Sequence, residues 1–385
     1  MHRAVALLES SWSANCMEAG ASTSTSQAGV SSGPGLIALS NSPSTPAKDL
    51  RSSFVILISS FPMLRSFLLF LALIASVTIA RADNPFIGRW ALTIPGGSAG
   101  WLGIEEKDGA LQGSILWSGG SVVPVQAVKV EGDTLTVTRI SKSKNSKTGE
   151  TDEITETITA TAAGDDLKLT TSKVKADGKT FGLAEFTGKR IPPVPPAPDL
   201  SKVKFGDPIT LFNGKDLTGW GLTNPKADNG WSVVDGVLMN RIEKGKHFGN
   251  LRTDREFEDF NLKLETRTQK DSNSGIYLRG IYEVQVAETY GKPVDSHNMG
   301  ALYSRITPSV AAEKPIDEWQ TFDITLVDRH LTVILNGQKI IDNQPILGCT
   351  GGALTSDELK PGPLMLQGDH TSIDYRNIVL RPVIK

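Results

Sequence analysis

Cysteine is almost missing: 385 residues hold only Cys16 and Cys349. A disulfide-dense scaffold and a cysteine-built zinc site are excluded, so stability must come from a packed core. Charge of one sign is missing as well. Forty Lys and Arg against 42 Asp and Glu leave a formal net charge of −2, too little for a basic field that neutralises nucleic-acid phosphates. Nucleic acid is therefore not an expected partner. Histidine is scarce, at five residues, and no HxH or HxxxH spacing marks a metal-ligand pair. Long helices are also missing: nothing in Phe86 to Arg190 sustains a 3.6-residue apolar period, and Val203 to Lys385 holds no convincing long helix. What is plentiful is glycine, 37 residues, and proline, 21, a balance that suits turn-rich β structure.

One apolar run stands out. Met63 to Ala82 carries Arg65, then Phe67 to Ile74, then Ala80-Arg81-Ala82, the order of a secretory signal peptide with a small-x-small cleavage site. Cleavage is expected after Ala82, with a periplasmic or extracellular destination. The apolar run is shorter than the ~20 residues that cross a bilayer, so no stable membrane span is expected after cleavage; an anchor that also uses Phe54 to Ile58 is the lesser alternative. Residues 1–62 include a Ser/Thr/Gly/Ala/Pro-rich stretch from Ser11 to Ala47 with little to bury. They read as a disordered segment or an over-extended start, with translation beginning at Met63. Removal of the leader takes Cys16 with it, leaving Cys349 as a lone thiol expected to be buried.

The remainder divides at Ile191 to Leu200, IPPVPPAPDL, where five prolines in ten resist helix and sheet and favour extended polyproline II. Residues 83–190 form one module, 191–202 a linker, and 203–385 a second module. In the first, Trp90 to Ile94, Leu111 to Trp117, Thr134 to Ile140 and Ile154 to Ala160 are short runs punctuated by Lys107-Asp108-Gly109, Glu131-Gly132-Asp133 and Asp177-Gly178. Such a pattern predicts a small antiparallel β-barrel or sandwich. Trp101 and Trp117 suit its core better than a sugar platform. The module has no histidine and no catalytic constellation.

The second module again reads as strands, among them Leu262 to Thr266, Gly275 to Arg279, Tyr282 to Val286, Phe322 to Val327, Leu331 to Leu335, Leu364 to Gln367 and Ile373 to Val383. Asn336-Gly337 between two apolar runs is a hairpin signal. About a dozen strands in ~180 residues predict a two-sheet jelly roll, a fold that binds ligands on a sheet face.

Several of its segments are distinctive: Leu211-Phe212-Asn213-Gly214-Lys215-Asp216-Leu217-Thr218-Gly219-Trp220, Trp231-Ser232-Val233-Val234-Asp235-Gly236, Asn273-Ser274-Gly275-Ile276-Tyr277-Leu278-Arg279, Tyr282-Glu283-Val284-Gln285, Gly300-Ala301-Leu302-Tyr303, Glu318-Trp319, Leu366-Gln367, His370 and Tyr375-Arg376-Asn377-Ile378. In order, they resemble the 3-keto-disaccharide hydrolase family, also described as 3-keto-glucoside 1,2-lyase and 3-keto-2-hydroxyglucal hydratase. The resemblance covers about residues 203–382. It implies a concanavalin-like jelly roll and a carbohydrate-active hydrolase or lyase whose partner is an oxidised, 3-keto sugar.

Strand alternation gives these residues a physical reading. Asn273, Gly275, Tyr277 and Arg279 fall on one face and Ser274, Ile276 and Leu278 on the other. Glu283 and Gln285 likewise oppose Tyr282, Val284 and Val286, so two adjacent strands can present Arg279, Glu283 and Gln285 to one polar surface. Asn273-Ser274-Gly275 itself reads as a turn whose glycine permits close backbone approach. With the resemblance, Glu283 is the expected general base, Arg279 the enolate stabiliser and His370 the acid. Asn273, Tyr277, Gln285, His297, Tyr303, Trp319 and Gln367 are the expected substrate contacts. His247 and His330 receive no role. Trp220 and Trp231 belong to the core. A divalent metal could replace arginine as electrophile, but no ligand set is assigned.

The implied chemistry follows from the ketone. A carbonyl at C3 acidifies the C2 proton, so a base can form an enolate, the C1 substituent leaves, and water adds to the product. Direct two-carboxylate glycoside hydrolysis is a second enzymatic option. From other classes, a non-catalytic lectin-like binding protein is the rival, and a structural envelope protein ranks last.

Overall fold

The computed structural model describes residues 84–144, 149 and 151–384; the expected leader at Met63 to Ala82, residues 1–62 and Cys16 lie outside them. Every regular element among the described residues is a strand. The all-β expectation holds for these described residues.

Nine antiparallel strands lie between Gly88 and Ile191. The first, Gly88–Thr93, pairs with Ala99–Lys107 on one side and with the last, Thr180–Ile191, on the other. At the two remaining edges, Val125 N–H donates to Gly113 O (2.9 Å) and Gln126 N–H to Thr138 O (2.8 Å). The segment around Val125 thus bridges both edges and curls the sheet towards a barrel, which removes exposed strand edges. Trp90, Leu92, Leu102, Ile115, Leu135 and Val137 fill its core. Asp108 and Gly109 both take positive φ, 53° and 76°, the handedness that a two-residue hairpin turn needs to match strand twist.

The proline segment is held along its length. Arg329 Nη2 donates to the carbonyls of Pro192 (3.0 Å) and Pro193 (2.5 Å), and Asn343 Nδ2 to Pro198 O (3.0 Å). Its carbonyls are free to accept because polyproline II makes no internal hydrogen bonds.

Beyond it, two sheets pack face to face as the expected jelly-roll sandwich. One has eight strands, centred on Phe260–Arg267, Trp319–Val327, His330–Leu335 and Ile373–Pro382; the other has five, in the order Trp220–Leu222, Leu251–Phe257, Gly362–Leu366, Asn273–Leu278, Tyr282–Ala287. Between them lies an apolar layer of Leu262, Ile276, Val284, Phe322, Ile324 and Leu364, among others. Trp220 and Trp231 belong to it, as expected. Asn336 and Gly337 make the predicted hairpin, with φ of 52° and 83°. Cys349 is fully buried, and burial pushes its thiol up to about 12, so it stays an inert core group.

Candidate functional site

The five-stranded sheet positions the candidate site on the face turned away from the apolar layer. In register, Tyr277 stands opposite Glu283, Gly275 opposite Gln285, and Met365 opposite Tyr277. Directly opposed residues share a face, so Asn273, Gly275, Tyr277, Glu283 and Gln285 line one surface while Ile276, Leu278, Tyr282 and Val284 enter the core. This is the division that a period of two predicts for these strands. The turn expected at Asn273-Ser274-Gly275 is instead the start of a strand; the bend falls earlier, at Asp271, whose φ is 59°. Gly275 still serves a close approach, because a Cβ there would overlap the Glu283 carboxyl.

Glu283 is only 4% exposed. Its backbone N–H donates to Thr350 Oγ1 (2.9 Å) and its carbonyl accepts from Tyr303 N–H (3.0 Å), which fixes the strand at this point. Burial raises the carboxyl to about 8; the Tyr277 phenol opposes that rise and Asp369 adds to it. The Tyr277 phenol, which donates to Gly351 O (2.8 Å), is itself held well above its ordinary range by burial and by Glu283. The Gln285 amide lies between Asn273 Oδ1 and Glu283 Oε1, at 3.3 Å from each. Gln367, 8% exposed, donates its backbone N–H to Gly275 O (2.9 Å). A buried carboxyl of high proton affinity amid amide and phenol groups is suited to taking a proton from carbon.

Two histidine pairs flank this centre. His370 Nδ1 lies 2.6 Å from Asp369 Oδ1, and that hydrogen bond raises the imidazole above its usual range. The loop is tied to the first strand by Thr371 Oγ1, which accepts from Asn273 N–H (2.7 Å) and donates to Asn273 O (2.9 Å). On the other side, His297 Nδ1 lies 2.6 Å from Asp295 Oδ1, and its ring packs edge-on to Tyr303 at 4.9 Å. Sequence reasoning misses Asp369 and Asp295, although each sits one or two residues from its histidine. Such a carboxylate beside an imidazole is a legible sequence signal.

Two expected site residues stand elsewhere. The strand ends at Leu278, and Arg279 takes a φ of 55° in the turn that follows. Its side chain passes to the opposite side, near the Tyr282 ring, and donates to the carbonyls of Glu358 (2.6 Å) and Lys360 (2.5 and 3.0 Å). Arg279 is thus a buried tie for a loop and does not join Glu283. Trp319 lies in the other sheet, opposite Arg267, on its outer face. The guanidinium carbons of Arg376 and Arg267 stand 3.9 and 4.8 Å from its ring centroid, so its π surface is already covered.

Among the described residues, no three of His, Cys, Asp and Glu stand together as a metal site. No helix there is long and apolar enough to cross a membrane.

Residues 207–381 match the family described as a 3-keto-alpha-glucoside-1,2-lyase-like domain. A curated relative from Bacteroides thetaiotaomicron, named 3-keto-disaccharide hydrolase, is 26% identical; the match covers 34% of this chain and 55% of the relative. A solved candidate glycosyl hydrolase from Parabacteroides distasonis is 31% identical over 50% of this chain and 94% of its own, with a TM-score of 0.39. Another from the same organism is 25% identical, covering 46% of this chain and 100% of its own, at a TM-score of 0.36. The chain spans about half of the curated relative, and the match begins only after the proline segment. Residues 207–381 thus belong to the 3-keto-alpha-glucoside-1,2-lyase-like domain family.

Proposed function

We propose that the protein cleaves 3-keto-glycosides by elimination across C1–C2 followed by hydration, acting outside the cytoplasm. The observation that carries this reading is the buried Glu283 carboxyl, raised to about 8 on a face shared with Tyr277 and Gln285. Glu283, as carboxylate, takes the C2 proton, and the C–H electron pair becomes the enolate of the C3 ketone. The Asn273 and Gln285 amides can donate to the developing oxyanion, the part that the motif alone would give to Arg279. The enolate then expels the C1 oxygen, whose bonding pair is protonated by the imidazolium of His370. In the second half, water adds its oxygen to C1 and gives a proton to His370, while Glu283 returns a proton to C2. The net change is hydrolysis, with both groups restored.

The raised proton affinities of Glu283 and His370 support a base and an acid working near neutral pH. The export pattern at Met63 to Ala82 supports the location. The test is to incubate the protein with a 3-keto-disaccharide and with its unoxidised parent, with and without divalent metal, and follow products by mass spectrometry. Release of 3-keto-glucose or a 2-hydroxyglucal from the oxidised sugar alone is the expected result. Binding without product would instead favour a lectin-like role.

A further inference from the structure

The barrel module, which the family match does not cover, reaches the Glu283 face through the loop that follows Ala110–Trp117. Gly352 N–H donates to Ser118 O (3.3 Å), and Gly120 packs so closely on Gly351 that a Cβ at Gly351 would overlap its carbonyl. Gly351 is the residue whose carbonyl accepts from Tyr277, the phenol opposite Glu283. Val122 N–H donates to Ser304 Oγ (2.9 Å), and Ser121 Oγ lies 2.9 Å from His297 Nε2. His297 is therefore held at both ring nitrogens, by Asp295 from its own loop and by Ser121 from the other module.

Ser118 and Gly120 take positive φ, 63° and 84°, conformations that cost energy at a non-glycine residue and persist where surrounding contacts fix them. A carboxylate at Nδ1 accepts the ring proton there, which leaves Nε2 turned to the Ser121 hydroxyl, and a nearby sugar hydroxyl can exchange into that bond. His297 and Tyr303 lie across the outermost strand of the sheet, with Tyr303 bonded to the Glu283 carbonyl. The Asp369-His370 loop lies on the other side, tied to Asn273 through Thr371.

From this geometry we infer that the barrel module completes the sugar site: the Ser118 to Ser121 loop walls the end that receives the departing sugar, and Ser121 is a positioning residue that orients His297 toward its hydroxyls. This rests on the reading of Glu283 as the reaction centre. It assigns the module a part in selecting disaccharides over glycosides with a small C1 substituent.

The test compares a 3-keto-disaccharide with methyl 3-keto-glucoside, using the full chain and its Ser121→Ala, Ser121→Thr and His297→Gln variants. Loss of one oriented hydrogen bond corresponds to about a tenfold rise in KM for the disaccharide, with KM for the methyl glycoside within about twofold of wild type. Ser121→Thr, which keeps the hydroxyl, should restore most of the difference. His297→Gln should raise KM for the disaccharide by at least as much, and the double change Ser121→Ala with His297→Gln should add little to that rise, since both act on one contact. Ser121→Ala weakening both substrates equally, or neither, overturns the inference. If the wild type binds both sugars without turnover, the catalytic reading fails, and the same comparison in Kd by calorimetry still decides the role of Ser121. Failure of the wild type to bind the disaccharide overturns both.

Discussion

Gly275 leaves the space that the Glu283 carboxyl fills, and no other residue type could stand at that position without moving it. Gly275 faces Gln285 across the strand pair, two pairs along from Tyr277 and Glu283 and on the same face. Gly275→Ala should push the carboxyl out of its buried position. Overpacking of this kind costs about 1–3 kcal/mol, and displacement of a catalytic group by about 1 Å can cost 10²-fold in rate. Turnover of a 3-keto-disaccharide, measured beside the thermal midpoint, should show activity falling far more than stability.

The proton affinity of Glu283 predicts a stability effect of definite sign. An ordinary glutamate titrates near 4.5, whereas this one is raised to about 8. Between those values the folded state binds more protons than the unfolded state, so stability falls as pH rises through the window. A glutamine carries no such penalty. Glu283→Gln should therefore match the wild type below about pH 4 and exceed it at pH 9, by up to about 4 kcal/mol, while losing turnover. Urea titrations of both proteins at the two pH values check this, and near-wild-type turnover by Glu283→Gln would remove it from the mechanism.

The active form needs ionised Glu283 and protonated His370, so kcat/KM should be bell-shaped, with its maximum between the proton affinities of the two groups. Asp369 raises both, through its hydrogen bond to His370 and its charge near Glu283. Asp369→Asn should move both limbs toward lower pH. A pH profile in which only one limb moves would separate the roles assigned to the pair.

Much of this arrangement is legible in the amino-acid sequence, because a period of two is enough to sort strand faces. Ile276 and Val284 against Tyr277, Glu283 and Gln285 is a pattern that burial alone enforces. Arg279 breaks the pattern because alternation holds only while the strand continues. A left-handed residue followed by Gly280 turns its side chain to the other side. Trp319 escapes placement by the same rule, since alternation says which residues share a face but not which sheet the face belongs to. Ser121 carries no signal at all: its contact is 176 positions away, in a module with an unrelated pattern.

Arg279 has a different expected phenotype from the one its motif implies. Its guanidinium holds the carbonyls of Glu358 and Lys360, and orphaning them in a buried site costs about 2–4 kcal/mol. Arg279→Ala should lower the midpoint of unfolding substantially while kcat per folded molecule stays within about threefold of wild type. Turnover normalised to the folded fraction by circular dichroism makes the comparison. A loss of kcat beyond about 10²-fold in a folded protein would return Arg279 to the reaction centre.

Trp319 gives the sharpest contrast between a catalytic cleft and a lectin-like platform. A sugar platform requires an open aromatic face, but Arg267 and Arg376 cover this ring, and Arg376 is also paired with Glu265 (2.5 Å). Removing the indole would leave two guanidiniums without their stacking partner on the outer sheet, a loss of about 1–2 kcal/mol from cation–π contacts. Trp319→Ala should therefore lower thermal stability while affinity for the keto-disaccharide, measured by calorimetry, stays within about twofold of wild type. A tenfold loss of affinity would place the sugar on the outer face of the eight-stranded sheet, where Glu283 could not reach it, and would overturn the assignment of the site to the five-stranded sheet.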